Sequence, residues 1–215
     1  MSKNTVFSSP FYRFFTKIAD LIILNLLFLL GCIPIITTGV SCAALYTVTL
    51  KMCRGTETYV LKDFLSAYRQ NLKQGIILHL IFSLLFIIIA IDFYVMWNIL
   101  EYGFFLKWMF GLLVIFSILF VMASLYVYPL LAQFNNTVKG HIRSAVVLSV
   151  KHFPYTIMFA LVTALPIVAF LMLKHALEWG ILLFLFIGFA GITYLFSHFF
   201  VIIFRQYIDT PMYAS

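Results

Sequence analysis

The chain has 215 residues, of which 64% are hydrophobic and only 10% are charged. Charged residues make up about 25% of an ordinary soluble domain. This composition therefore excludes an ordinary soluble domain and indicates a membrane protein. The net charge is +7, but no basic patch interleaved with aromatic residues lies outside the apolar runs. Binding to nucleic acid is therefore not predicted, and the positive charge is better explained by membrane orientation.

Apolar runs indicate a single transmembrane domain over residues 1–215. A helix needs roughly 20 apolar residues to cross a bilayer. The runs that approach or exceed this length lie at about 18–36, 76–97, 104–131, 154–173 and 179–204. The predicted fold class is an all-α polytopic membrane protein with about five full transmembrane helices.

Two stretches between the spans, at about 56–73 and 138–152, are predicted to be amphipathic cytoplasmic helices because their apolar residues recur at helical spacing. Charge supports this placement. The segments 1–17, 51–73 and 138–152, together with the carboxyl terminus, hold 12 of the 14 Lys and Arg residues. Such an excess marks the cytoplasmic side, so both chain termini are predicted to be cytoplasmic.

Residues 37–50 are predicted to form a short re-entrant or bent return helix after the first span. The segments 1–17 and 51–73 can share the cytoplasmic side only if the chain between them enters the membrane and comes back. A helix over 37–50 rises only about 21 Å, which is short of the roughly 30 Å of hydrocarbon.

The break in this hairpin is the strongest candidate for a cavity or transport path. Its small and hydroxylated residues either allow close helix packing or, as broken helix ends do in transporters, line a binding site. Non-helical backbone inside a membrane must be covered, so neighbouring helices are expected to cover residues 34–39. The candidate residues here are Pro34, Thr37, Thr38, Gly39 and Tyr46.

Four polar residues of the apolar runs extend the candidate cavity: Asn25, His79, Asp92 and His198. Ionisable groups inside a membrane are candidates for function because burying an unpaired charge there is costly. Asn25, His79 and His198 are interpreted either as helix-to-helix hydrogen bonds or as a polar cavity with a proton relay. Asp92 is either a carboxylate in an interfacial aromatic belt or a contact for a substrate or ion.

The amphipathic stretch 56–73 is either an ordinary interfacial helix or a docking surface for a cytoplasmic partner. The candidate docking residues are Arg54, Leu61, Phe64, Leu65, Tyr68 and Arg69. No catalytic, cofactor-binding or metal-binding residues are predicted, since the chain has neither a nucleotide-binding nor a hydrolase motif. An enzyme is therefore not expected.

Three blocks of the sequence carry a resemblance to a known family: NLLFLLGCIPIITTGVSCAALYTVTLKMCRG, YVLKDFLSAYRQNLKQG and YVYPLLAQFNNT. They resemble the YesL-like family of bacterial integral membrane proteins, whose domain has no assigned function. The resemblance extends from about residue 12 to 205. It implies a bacterial plasma-membrane protein associated with carbohydrate uptake, and it supplies no catalytic residues.

Two classes of function follow. The first is a non-enzymatic accessory protein in contact with membrane lipid and with an ABC-type sugar permease or a membrane sensor kinase. The alternative is a small transporter or channel whose path is lined by the broken first hairpin. A homo-oligomer is compatible with both.

Overall fold

The computed structural model describes residues 10–99, 104–172 and 176–208, which contain helices and no β-strand. The predicted all-α class is therefore confirmed. Both chain termini are predicted to be cytoplasmic, but residues 1–9 and 209–215 lie outside the described residues. The helices are α1 Pro10–Cys32, α2 Thr38–Cys53, α3 Val60–Ile99, α4 Phe104–Gln133, α5 Val138–Lys151, α6 Phe153–Met172, α7 Ala176–Leu183 and α8 Phe189–Ile208.

Five helical stretches of the described residues are long and apolar enough to cross a membrane. They are Phe14–Cys32, Ile35–Cys53, Val60–Asn98, Leu106–Gln133 and Gly180–Tyr207. Helices α5 and α6 qualify only together, as a pair bent by 100° at His152. The polytopic class is thus confirmed, but the predicted span 154–173 corresponds to the second limb of a bent pair.

The hairpin between α1 and α2 turns through a single 3₁₀ turn, Ile35–Thr37. Helix α1 ends at Cys32 because Pro34 has no amide hydrogen and restricts the residue before it. The expectation that neighbouring helices cover residues 34–39 holds for Gly39, which is buried, but is wrong for residues 34–36, where Ile35 is 78% exposed.

Threonine hydroxyls form hydrogen bonds with the backbone carbonyls of the hairpin turn. The Thr37 hydroxyl donates to the carbonyl oxygens of Gly31 and Pro34, both at 2.8 Å. The Thr38 hydroxyl donates to the carbonyl of Ile35, also at 2.8 Å. These carbonyls are left over at the end of a helix, so the turn satisfies its own backbone and exposes only apolar side chains.

Helix α2 is longer than the predicted return segment 37–50 and lies at the centre of the molecule. It has 16 residues, and half of the span that contains it is buried, against at most 28% for the other candidate spans. It packs against α1, α3, α4 and α8. Its length comes from continuing through the polar end TLKMC to the turn at Gly55, whose φ of +71° favours glycine.

Helix α3 joins the predicted amphipathic stretch and the predicted second span into one helix of 40 residues. No helix breaker separates 56–73 from 76–97. Position 75 is a glycine because α2 passes too close to leave room for a side chain. A Cβ on Gly75 would lie 3.0 Å from Val40 Cα. At the other end of the pair, Lys51 forms a salt bridge of 2.8 Å with Asp63, so α2 and α3 are antiparallel.

The length of α3 places part of it outside the membrane. A helix of 40 residues is about 60 Å long, against about 30 Å of hydrocarbon. Even a tilt of about 40°, the upper end of the usual range, leaves it longer than the hydrocarbon layer. The half that extends is the polar one, which carries Lys62, Asp63, Arg69 and Lys73.

An aromatic core holds α4, α6 and α8 together. The ring centroid of Phe159 lies 4.6 Å from that of Phe196 and 4.8 Å from that of Phe200. Tyr126 packs on Phe200 at 5.3 Å, and its hydroxyl is 2.9 Å from that of Thr156. Such pairs contribute about 0.5–1.5 kcal/mol each beyond area burial, so this cluster fixes the helices that border the cavity described next.

Candidate functional site

An apolar cavity of about 600 Å³ lies against the middle of α2. Cys42, Leu45 and Tyr46 of α2 form one wall, and α1, α4, α6, α7 and α8 supply the others. The polar groups on its lining are hydroxyls and one thiol, and none of the described residues that line it is charged. They belong to Cys42, Tyr46, Ser124, Tyr128, Thr163 and Thr193. Of the predicted cavity residues, Tyr46 is the one that lines it.

Asn25 stabilises the wall of this cavity without lining it. Its side chain is fully buried, and its Nδ2 donates to the carbonyls of Phe184 and Leu185 at 2.9 and 2.8 Å. Its Oδ1 accepts the amide of Ala190 at 2.9 Å. These backbone groups are available because a π-helical segment, Phe184–Gly188, joins α7 to α8. Asn25 thus forms the helix-to-helix hydrogen bonds that were one of its two interpretations.

His79 reaches the cavity only through Tyr128. Its Nδ1 lies 3.3 Å from the Tyr128 hydroxyl, and its Nε2 lies 3.4 Å from the hydroxyl of Ser83. Gly39 packs on the same spot, since a Cβ added there would lie 2.7 Å from the Cβ of His79 and 3.0 Å from the Tyr128 ring. His79 and Gly39 therefore form the α2–α3–α4 contact behind the cavity.

The other candidate cavity residues lie elsewhere. Asp92 is exposed on α3, and Tyr94 and Trp97 just after it are exposed too, which is the arrangement of an interfacial aromatic belt. His198 is exposed on α8, with its ring 4.9 Å from that of Tyr194. Neither residue lines the apolar cavity.

Pro34, Thr37 and Thr38 belong to the hairpin turn. They too are absent from the lining of the cavity. Their role in the structure is to end α1 and to satisfy the carbonyls of the turn, as described above.

The candidate docking residues divide between two faces of α3. Phe64 is 2% exposed and packs with α1 and α2, where Tyr68 joins it, so Phe64 belongs to the core and not to a docking surface. Leu61 is 56% exposed and Leu65 is 43% exposed, and Arg69 is exposed on the same side. The guanidinium of Arg54 donates to Gln133 Oε1 at 2.6 Å, which ties the α2–α3 turn to α4.

A polar cleft of about 660 Å³ was not foreseen from the sequence. It lies between α2, α3 and the connection from α4 to α5. Six carboxamide side chains line it, with Lys73 as the charged residue on its lining. The carboxamides belong to Gln70, Asn71, Gln74, Gln133, Asn135 and Asn136. The signal was present as QNLKQ and QFNNT, but the separation of 62 positions between Gln74 and Asn136 hid their proximity.

Metal chemistry has no evident site in the part of the chain that the structure describes. No group of three His, Cys, Asp or Glu side chains there is placed to hold a metal ion. Cys32, Cys42 and Cys53 are free thiols.

Comparison with known families gives one match. A family model described as a protein of unknown function, DUF624, matches residues 21–93. No curated protein and no solved structure matches the chain. The matched segment begins in α1 and ends in α3, so it contains the whole hairpin and the residues QNLKQ of the polar cleft. YesL-like proteins are the DUF624 family, and the resemblance is therefore confirmed over this segment.

Proposed function

We propose that this chain, whose residues 21–93 match the DUF624 family model, is a non-enzymatic accessory protein that binds a cytoplasmic partner through α3. The observation that carries the proposal is the two-sided packing of the polar half of α3. Phe64 and Ala67 face inward to α1 and α2, whereas Leu61, Leu65 and Leu72 are exposed.

The exposed side of this half-helix, called the α3 outer face, consists of Leu61, Lys62, Leu65, Arg69 and Leu72. The spacing of Leu61, Leu65 and Leu72 puts them on one stripe of the helix. Because α3 is too long for the hydrocarbon layer, lipid tails do not cover these leucines along the whole stripe. A partner groove that takes the leucines, with acidic groups opposite Lys62 and Arg69, fits this surface.

The alternative, a small transporter or channel with its path lined by the broken first hairpin, has weaker support from the described residues if its substrate is a sugar. Its path would run through the apolar cavity beside α2, whose lining has no charged residue and few hydroxyls. A hydroxyl that loses water without gaining a hydrogen bond costs roughly 2–7 kcal/mol. Such a cavity suits an apolar molecule better than a sugar, which carries many hydroxyls.

The resemblance to the YesL-like family directs the choice of partner. It implies a bacterial plasma-membrane protein associated with carbohydrate uptake, so an ABC-type sugar permease or a membrane sensor kinase is the first partner to test. Both classes have cytoplasmic parts within reach of a helix that protrudes from the membrane.

Site-directed photo-crosslinking in native membranes tests the proposal. A photoreactive residue at Leu65 is expected to crosslink to a permease or kinase subunit identified by mass spectrometry. The matched control is Leu80, which is also exposed but lies in the apolar half of the same helix. Crosslinks at position 65 only to a second copy of the chain, or the same products at both positions, would overturn the accessory function.

A further inference from the structure

We infer that the polar cleft binds a small anion that carries several hydroxyl groups, the chemistry shared by the glycerol phosphate headgroup of a lipid and by a soluble polyol phosphate. This inference does not depend on the α3 outer face, because the cleft is a separate surface of the molecule. It rests on three properties of the cleft: its hydrogen-bond donors and acceptors, its positive charge, and the order of its walls before any ligand binds.

The donor set suits hydroxyl groups. Each carboxamide offers an acceptor oxygen and two N–H donors, so it can bond a hydroxyl in either direction. Gln70 and Asn71 approach from α3, and Gln133 and Asn135 approach from the end of α4 and the connection that follows. A ligand between these walls is surrounded by donors and acceptors without meeting a carboxylate, since no Asp or Glu is among the described residues that line the cleft.

The charge of the cleft suits an anion. Lys73 is on its lining, and the guanidinium of Arg54 is bonded to Gln133, also on the lining. Helix α5, which has 14 residues, begins at Val138 directly after the lining residues Asn136 and Thr137. The amino-terminal end of a helix carries a partial positive charge and favours anions, so three sources of positive potential meet here.

The walls of the cleft are ordered before any ligand binds. Gln74 Nε2 donates to the carbonyl of Asn136 at 2.9 Å, which ties α3 to the α4–α5 connection. Asn136 Oδ1 accepts the amide of Thr137 at 2.7 Å, and the Thr137 hydroxyl accepts the amide of Gly140 at 3.1 Å. A site already held in shape loses less entropy on binding, so a small ligand can be retained.

Calorimetric titration of the full chain in phosphatidylcholine nanodiscs tests the inference, with glycerol 1-phosphate and inorganic phosphate as probes. Saturable binding of glycerol 1-phosphate is expected, at least tenfold tighter than that of inorganic phosphate. Lys73→Gln should weaken it at least tenfold, whereas Lys107→Gln, an exposed lysine near the start of α4 and away from the cleft, should leave it unchanged. Gln70→Ala should reduce the preference for glycerol 1-phosphate over phosphate.

The lipid source is distinguished in nanodiscs that contain phosphatidylglycerol. If the headgroup is the ligand, native mass spectrometry should show phosphatidylglycerol retained by the wild-type chain and lost from Lys73→Gln but not from Lys107→Gln. These discs should also suppress binding of the free probe. The inference is overturned by equal affinity for the two free probes, or by an absence of free-probe binding together with equal lipid retention by all three chains.

Discussion

At the scale of single residues, Asn25 shows what a sequence can and cannot supply. It is the one polar residue in LIILNLLFLL, which marks it as a candidate for hydrogen bonding inside the membrane. Its partners lie about 160 positions away, at backbone groups that exist only because Phe184–Gly188 is π-helical. No periodicity in the sequence announces that segment, so the partners were not predictable.

Replacing Asn25 by Leu is expected to destabilise the chain by about 2 kcal/mol, because three backbone groups lose their partner in a dry site. The measurement is unfolding of the purified chain in mixed detergent micelles. Asn98→Leu is the matched control, since Asn98 is exposed and donates only to Tyr94 of its own helix among the contacts found. Equal stability of the two variants would mean that Asn25 does not hold the α7–α8 junction.

Glycine positions provide a second prediction at this scale. Gly39→Ala should destabilise the chain by about 1–3 kcal/mol, because the new Cβ would lie 2.7 Å from the Gly75 carbonyl oxygen and force α2 away from α3. Gly111→Ala has open space around it and should be neutral or stabilise α4 by up to about 1 kcal/mol. Thermal unfolding of both variants in the same detergent decides the point, and an unchanged midpoint for Gly39→Ala would contradict the close α2–α3 contact.

At the scale of helices, the hairpin was predictable in outline because charge and Pro34 are local features of the sequence. Its details were not. The length of α2 depends on the turn at Gly55, and its central position depends on four partner helices. The self-satisfied turn depends on threonine hydroxyls, which the sequence also allows for cavity lining or packing.

The continuation of 56–73 into 76–97 as the single helix α3 was likewise not predictable. An amphipathic pattern and an apolar run look like two elements, although no helix breaker separates them. The close approach of Val40 in α2 explains why position 75 is a glycine. Phe64 was assigned to docking for a related reason, since helical spacing alone does not say which apolar stripe meets α1 and α2.

The orientation of the hairpin has a direct test. After Cys32, Cys42 and Cys53 are replaced by Ala, a Thr56→Cys variant in intact cells should react with a membrane-impermeant maleimide only once the cytoplasmic side is opened. The reason is the excess of Lys and Arg in 51–73, which predicts that this turn faces the cytoplasm. A cysteine at Lys107, which the charge count places outside, is the control. Labelling of position 56 from outside would contradict the predicted topology.

At the scale of the whole molecule, the two cavities differ in the chemistry that they offer. The apolar cavity lies among α1, α2, α4, α6, α7 and α8, and the polar cleft lies between α2, α3 and the α4–α5 connection. Most of the polar side chains of the cleft come from two short stretches that the sequence shows as ordinary helix ends. The sequence predicts a membrane bundle well because composition is a global property, whereas each cavity depends on long-range packing.

This difference predicts that the chain alone does not transport sugars. In liposomes that contain the purified protein, entry of radiolabelled glucose or maltose should match that of protein-free liposomes, because the apolar cavity cannot replace the hydrogen bonds that a sugar makes with water. Ile167→Trp narrows the cavity from its exposed side, and Leu161→Trp places the same ring on α6 away from it. Saturable uptake that Ile167→Trp abolishes and Leu161→Trp preserves would contradict this prediction, and it would make the cavity beside the hairpin a transport path.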